Sequence, residues 1–412
     1  MSFRTALSGL NAAQTDLNVT GNNIANANTA GFKESRTEFE DVYAVSFQGV
    51  SNIQPGSGVR VAAVAQQFGQ GNVEFTSNSL DLAINGEGFF TLNDGGKQVF
   101  SRSGSFHVDR DGYVVNSQGA SLQVYPSTAG GNFNTGVLSD LQLSTAEGAP
   151  AATTKLTAGV NLNSGDNEPT IAFNTANPDP DSYNNSSSTV IYDSLGTAHT
   201  ATMYFRKDET TPPGVNLWDA YYYVDGNLVT SGGNPSVKMT FNPDGSLATA
   251  QPIAYDPIVT TTGSLPINMN IDYSNTTQFG SPFSVNALTQ DGFATGRLSG
   301  IDIDPSGIVS ARYTNGQAQQ LGKIAMASFA NPQGLGQQGD TVWSETFTSG
   351  GRILGEASTG TFGLIQSGAL EASNVDVAAQ LVNLITAQRN YQANAQVIST
   401  ENTVTQTIIN IR

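Results

Sequence analysis

A chain of 412 residues is long enough for two to four domains with cores of their own, at roughly 100 to 200 residues per domain. Its formal net charge of −17 argues against nucleic acid or an anionic membrane surface as partner, yet only 12% of its residues are charged, so solubility rests largely on Asn, Gln, Ser, Thr and Gly. With no cysteine, a disulfide framework, a thiolate metal site and a cysteine nucleophile are all excluded.

The start, Met1-Ser-Phe-Arg-Thr-Ala-Leu-Ser-Gly-Leu10, lacks the continuous apolar core of about 7 to 15 residues that a cleaved secretory signal needs. No apolar run approaches the ~18 residues of a membrane span, so membrane insertion is not expected. Every seventh residue from Phe3 gives Phe3, Leu10, Leu17 and Ile24, and the series three residues on gives Ala6, Ala13, Thr20 and Ala27. This a/d stripe predicts an amphipathic helix with a coiled-coil seam, and Phe3, Leu7, Leu10, Ala13, Leu17 and Ile24 are its expected packing residues. Asn26-Ala-Asn-Thr-Ala-Gly31 supplies the left-handed conformations that stop a helix.

Beyond it the period switches to two. Leu80, Leu82 and Ile84 alternate with Asp81 and Ala83, and Phe89, Phe90 and Leu92 lead to the turn Asn93-Asp-Gly-Gly96. Asp111-Gly112, Asp225-Gly226, Asp244-Gly245 and Asn315-Gly316 mark further hairpins, with alternating Val237, Met239 and Phe241 beside one of them. Residues 145–190, rich in Asn, Ser, Thr and Pro, read as exposed loop or domain edge, and a second shift near Ser274-Asn-Thr-Thr277 suggests a boundary on the return.

Near the end, Ser373-Asn-Val-Asp376 has the form of a helix N-cap. Val377, Leu381, Leu384, Tyr391, Ala395, Ile398 and Ile409 follow at helical spacing, predicting a second helix of about 40 residues, or ~60 Å. The fold expected is multidomain α+β: terminal helices (1–70 with the connecting segment, and 372–412) pairing as a coiled-coil-like inner domain. An inner antiparallel β domain (71–148 and 285–371) and an outer one (149–284) nest between them. Gly9 and Gly21 each cost about 1 kcal/mol of helix propensity, and the alanine-rich seam buries little area. We therefore expect both ends to be disordered in the monomer and to become helical on assembly.

Chemistry finds little support. His107 and His199 stand alone in strand patterns, Asp109 and Asp111 lack the spacing of a calcium loop, and Asp302 and Asp304 precede the turn Pro305-Ser-Gly307. No nucleophile elbow, P-loop or dinucleotide fingerprint occurs in a suitable context, so no catalytic residue, cofactor or metal is expected.

Particular strings resemble a known family. Asn22-Asn-Ile-Ala-Asn-Ala-Asn-Thr-Ala-Gly-Phe-Lys33, following Leu7-Ser-Gly-Leu-Asn-Ala-Ala13, is similar to the N-terminal signature of the bacterial flagellar rod and hook proteins, with Asn23, Asn26, Asn28, Gly31 and Phe32 as its marker positions. Ser79-Leu-Asp-Leu-Ala-Ile-Asn-Gly-Glu-Gly-Phe-Phe90, Phe100-Ser-Arg-Ser-Gly-Ser-Phe106 and Gln388-Arg-Asn-Tyr-Gln-Ala-Asn394 fit the same family. The resemblance implies a structural subunit, not an enzyme, that self-assembles into an open helical polymer. The insert at 149–284 points to the hook branch, with a distal rod or other axial protein as the alternative. That branch implies a curved extracellular tube, exported without a cleaved signal, acting as a universal joint that carries torque from rod to filament and lets exported subunits through its channel. Its implied partners are the distal rod protein, the hook cap protein, the hook-filament junction protein and the type III export apparatus.

Overall fold

The computed structural model describes residues 2–42, 56–128, 131–143, 147–209 and 216–410, so part of the predicted connecting segment, 43–55, lies outside the described residues. The chain divides into two compact units, one made of 1–144, 300–312 and 318–412, the other of 145–299 and 313–317.

The first unit begins with helix α1, Ser2–Ala25, and ends with helix α2, Val377–Asn410. At 1.5 Å per residue they span about 36 and 51 Å. They pack antiparallel, with Gly9 beside Asn394 and Asn23 beside Gln380. The last two turns of α2, including Val404, Ile408 and Ile409, are exposed. The N-cap of α2 is Asp376 and not Ser373: the Asp376 carboxylate accepts the amides of Ala378 and Ala379 at 2.9 and 3.1 Å. Ser373 sits one turn too early, and Asn374 between them is occupied elsewhere, accepting Glu34 N–H and donating to Gln67 C=O.

Between the helices, Ser35–Asp41 pairs antiparallel with Val59–Gln66. A large mostly antiparallel sheet follows, in which the hairpin Phe89–Asp94 and Lys97–Ser101 lies next to Ser121–Pro126 and Ala318–Ser328. The predicted alternation places Leu82, Ile84, Phe90 and Leu92 in its core, with Leu122, Ile324 and Met326 facing them. A smaller aromatic cluster joins Phe89, Phe100, Phe329 and Trp343, with Phe100 and Phe329 edge to face at 4.8 Å. The outgoing and returning chain run side by side: Val73–Phe75 pairs with Ala369–Glu371, and Leu82–Asn85 with Leu364–Ser367.

The second unit is a sandwich of two five-stranded sheets around one core containing Trp218, Tyr222, Tyr273, Phe205, Met203 and Leu162. Three details differ from the sequence reading. Lys155–Asn163, inside the stretch read as loop, is a central strand whose Leu156, Ala158, Val160 and Leu162 are fully buried. Its Thr, Gly and Asn residues, small and polar, hide a period of two; Asn185–Tyr192 is likewise a strand, and 164–184 is the true loop. This central strand also pairs in parallel with Asn270–Asp272 and Thr277–Phe279, whereas antiparallel pairing holds nearly everywhere else. The turn at 274–277 lies within the unit, with Thr276 buried and its hydroxyl donating to the Ala158 carbonyl.

Candidate assembly surface

The α1–α2 seam is built from small and polar residues. Ala6, Ala12, Ala13, Thr20 and Asn23 of α1 and Gln380 and Ala387 of α2 are buried, so the intrachain seam follows the smaller of the two predicted heptad series. Of the predicted packing residues, Ala13 is buried, while Leu10, Leu17, Ile24, Leu384, Tyr391, Ala395 and Ile398 are half-buried along this seam. Phe3, Leu7, Val377, Leu381 and Ile409 are exposed, Ile409 to 65%. Val382, Ile385, Val397, Val404 and Ile408, which lie off the predicted stripe, are exposed as well. One chain thus buries the small residues, half-buries the larger ones beside them and leaves the apolar side chains off the seam, such as Phe3, Leu7, Leu381 and Ile385, without a covering surface.

The signature residues mostly turn inward. Asn23 is buried: its amide donates to Ser35 C=O at 2.8 Å and to Gln380 Oε1 at 3.3 Å, and its Oδ1 accepts Ser35 N–H at 2.9 Å. Asn26 closes the end of α1, its amide donating to Asn22 C=O and its Oδ1 accepting the Thr29 hydroxyl. Gly31 has φ +70°, and a Cβ there would meet Ser103 N at 2.4 Å, so no side chain fits. Phe32 is half-buried and lines a cleft of about 290 Å³ with Asn22, Asn26, Gln66 and Trp343, while Asn28 is exposed.

A buried charge cluster ties these parts together, and the sequence reading did not single it out. The Glu371 carboxylate accepts Lys33 Nζ at 2.6 Å and Gly71 N–H at 2.9 Å and meets Arg102 at 3.5 Å, while its backbone carbonyl accepts Gly31 N–H at 2.7 Å. Lys33 and Glu371 are wholly inaccessible and Arg102 nearly so, its guanidinium lying 5.2 Å over the Phe89 ring. Burial lowers the Lys33 and Arg102 pKa values, and the Glu371 charge restores only part of the loss. The available signals were slight: Lys33 closes the signature string, and Glu371 is a lone charge in a neutral stretch.

Three of the carboxylates weighed for chemistry have partners within the fold. Asp109 caps its hairpin by accepting Asp111 and Tyr113 N–H, Asp304 does the same for Ser306 and Ile308, and Asp302 pairs with Arg312. His107 is exposed on a short strand.

Comparison with known proteins agrees along the whole chain. Residues 3–33 match the profile of the flagella basal body rod protein, 83–164 that of the flagellar hook protein FlgE/F/G D1 domain, 161–293 that of the FlaE D2 domain and 366–411 that of the FlgEFG protein C-terminal region. The sequence is 40% identical over 420 residues to flagellar hook protein FlgE of Escherichia coli, covering all of both chains. The chain belongs to the flagellar hook protein family. Hook proteins FlgE of Salmonella typhimurium and Borreliella burgdorferi are 38% and 32% identical, again over the full chain and 100% and 99% of theirs. The crystal structure of Helicobacter pylori hook protein FlgE2 shares the fold, with a TM-score of 0.53 at 15% identity over 73% of this chain and 100% of that one. In this hook-family chain the D2 match lies inside the second unit, and the two terminal matches end at Lys33 and begin at Gln366, so the Lys33–Glu371 pair joins them.

Proposed function

We propose that this chain is the structural subunit of the bacterial flagellar hook, polymerising through its terminal helices into a curved tube that joins rod to filament and bends while transmitting torque. The exposed apolar residues of the paired helices carry this reading, because pairing within one chain leaves Phe3, Leu7, Leu381, Ile385, Val397 and Ile408 uncovered. A neighbour offering the same helices through a different face makes a heterologous contact, which repeats without closing and builds an open helix. The remaining helix surface is almost neutral, with Asp376, Arg389 and Glu401 as the charged residues of the segment 376–410. A tube lined by such a surface would let exported subunits slide through.

The flanking partners follow from that place in the axial structure: a distal rod protein below, a cap during growth, a junction protein above, and a type III apparatus that exports the chain. The predicted three-level nesting, with 149–284 outermost, assigns tube formation to the terminal helices and adjustable contacts to the β domains. Electron microscopy of polymer grown from the purified chain tests the proposal. Curved tubes with a central channel are expected, and straight rods or no polymer would overturn it.

A further inference from the structure

His199 lies on the inward parity of strand Ala198–Asp208, in line with the buried Ala201, Met203 and Phe205, and is itself buried. Both ring nitrogens face carboxylates: Nδ1 is 2.6 Å from Asp225 Oδ2 and Nε2 is 3.3 Å from Asp193 Oδ2. A neutral imidazole has one N–H and one lone pair, so one of these contacts would set a lone pair against a carboxylate. Only the imidazolium donates to both.

The groups joined belong to three loops. Asp193 begins the turn 193–197 and accepts Leu195 and Thr197 N–H; Asp225 stands in the turn before Gly226. From the loop 258–267, the uncharged Thr262 hydroxyl donates to Asp193 at 2.7 Å, and Leu265 N–H donates to Ser194 Oγ. Leu195, Val259 and Leu265, on the two loops held through Asp193 and Ser194, are 58%, 79% and 73% exposed. Asp193 and Asp225 are the charged groups that act on the ring.

We propose that His199 is a pH-sensitive clamp: as an imidazolium it fastens these three loops, and loss of one ring proton to solvent releases them and reshapes the apolar surface they carry. Burial opposes the charge, but the hydrogen bonds to Asp225 and Asp193 outweigh it and raise the ring pKa above its ordinary 6.5. The clamp is therefore complete below pH 6.5 and weakens as pH rises through the folded-state value. Asp193, despite burial, is held well below the usual carboxylate range by Thr262, Thr197 and His199, so it stays charged throughout.

The test uses dilute full-length protein labelled with ¹⁵N-histidine, in which His107 and His199 are the two imidazoles. His199 should be doubly protonated at pH 6.5 and titrate above it. Subtilisin cleavage within 193–197 and 258–267, corrected for the enzyme's own pH profile, should rise by up to about tenfold per pH unit across that titration. His199→Gln should abolish the step. Should that variant not fold, Asp225→Asn, at a half-exposed carboxylate, should move the step to lower pH. Titration of His199 at or below 6.5, or a cleavage step unchanged in both variants, would overturn the clamp.

Discussion

Glu371 is the residue on which the exit of α1, the arm at 69–71 and the lead-in to α2 converge. One carboxylate faces two buried basic side chains, and Arg102 Nε is left without a hydrogen-bond partner. Such a cluster contributes more to uniqueness than to stability, because desolvation of three ions offsets most of their attraction. Removing the anion that bridges both cations is another matter. Glu371→Gln should cost about 3–5 kcal/mol, since Lys33 and Arg102 then lose the carboxylate that pairs them and keep as neutral hydrogen-bond partners the carbonyls of Gly69 and Gly86. Urea unfolding of the full chain measures this, and a change below 1 kcal/mol would show the pair to be dispensable. Gly31 works beside it for a steric reason, its positive φ and the 2.4 Å approach of Ser103 N excluding any Cβ.

The helices pose an energetic question of their own. Each buried alanine methyl contributes about 0.8 kcal/mol, so the seam formed by Ala6, Ala12, Ala13 and Ala387 supplies only about 3 kcal/mol. Fixing the backbone of helices of 24 and 34 residues costs about 1 kcal/mol or more per residue before helix hydrogen bonds offset it. The first turn of α1 and the last turns of α2, farthest from the Lys33–Glu371 tie and the Asp376 cap, have the least to hold them. In dilute protein the amides of 2–12 and 395–410 should therefore exchange close to random-coil rates. They should become protected in polymer. Hydrogen exchange read by mass spectrometry checks both states, and full protection in the monomer would refute assembly-coupled folding. Truncation of 1–30 or 373–412 should abolish polymer formation while the second unit keeps its fold.

For the molecule as a whole, two units with separate cores make one of them removable. The natural cuts are at 145 and 299. A deletion at 149–284 would leave most of Ser284–Gln290 without Lys155–Asn163, the strand it pairs with. Replacing 145–299 by a short Gly/Ser linker should leave polymerisation intact and give straighter or less stable tubes by electron microscopy. Normal curvature in that variant would remove the second unit from the bending mechanism.

The helices, the hairpin turns and the inner β core were legible in the sequence because each depends on local order: a period of seven or two, and an Asp-Gly pair where φ must be positive. Phe90, Leu92 and the Asp225-Gly226 turn needed no partner to be recognised. The strand at Lys155–Asn163 was not legible, because Gly159, Thr157 and Asn161 dilute its apolar period and burial comes from two sheets closing over it. Nor could periodicity say which side of each helix faces its partner in the same chain, since Ala6 and Ala13 and Phe3 and Leu10 form equally regular series. Tertiary packing buries the smaller series more deeply: Ala6, Ala13 and Thr20 are buried and Leu10, Leu17 and Ile24 half-buried, with Gly9 lying against Asn394. The Lys33–Glu371–Arg102 cluster and the His199 clamp were likewise decided only by the fold, since charge partners 338, 269 and 26 residues apart share no local pattern and meet only when the chain has closed around them.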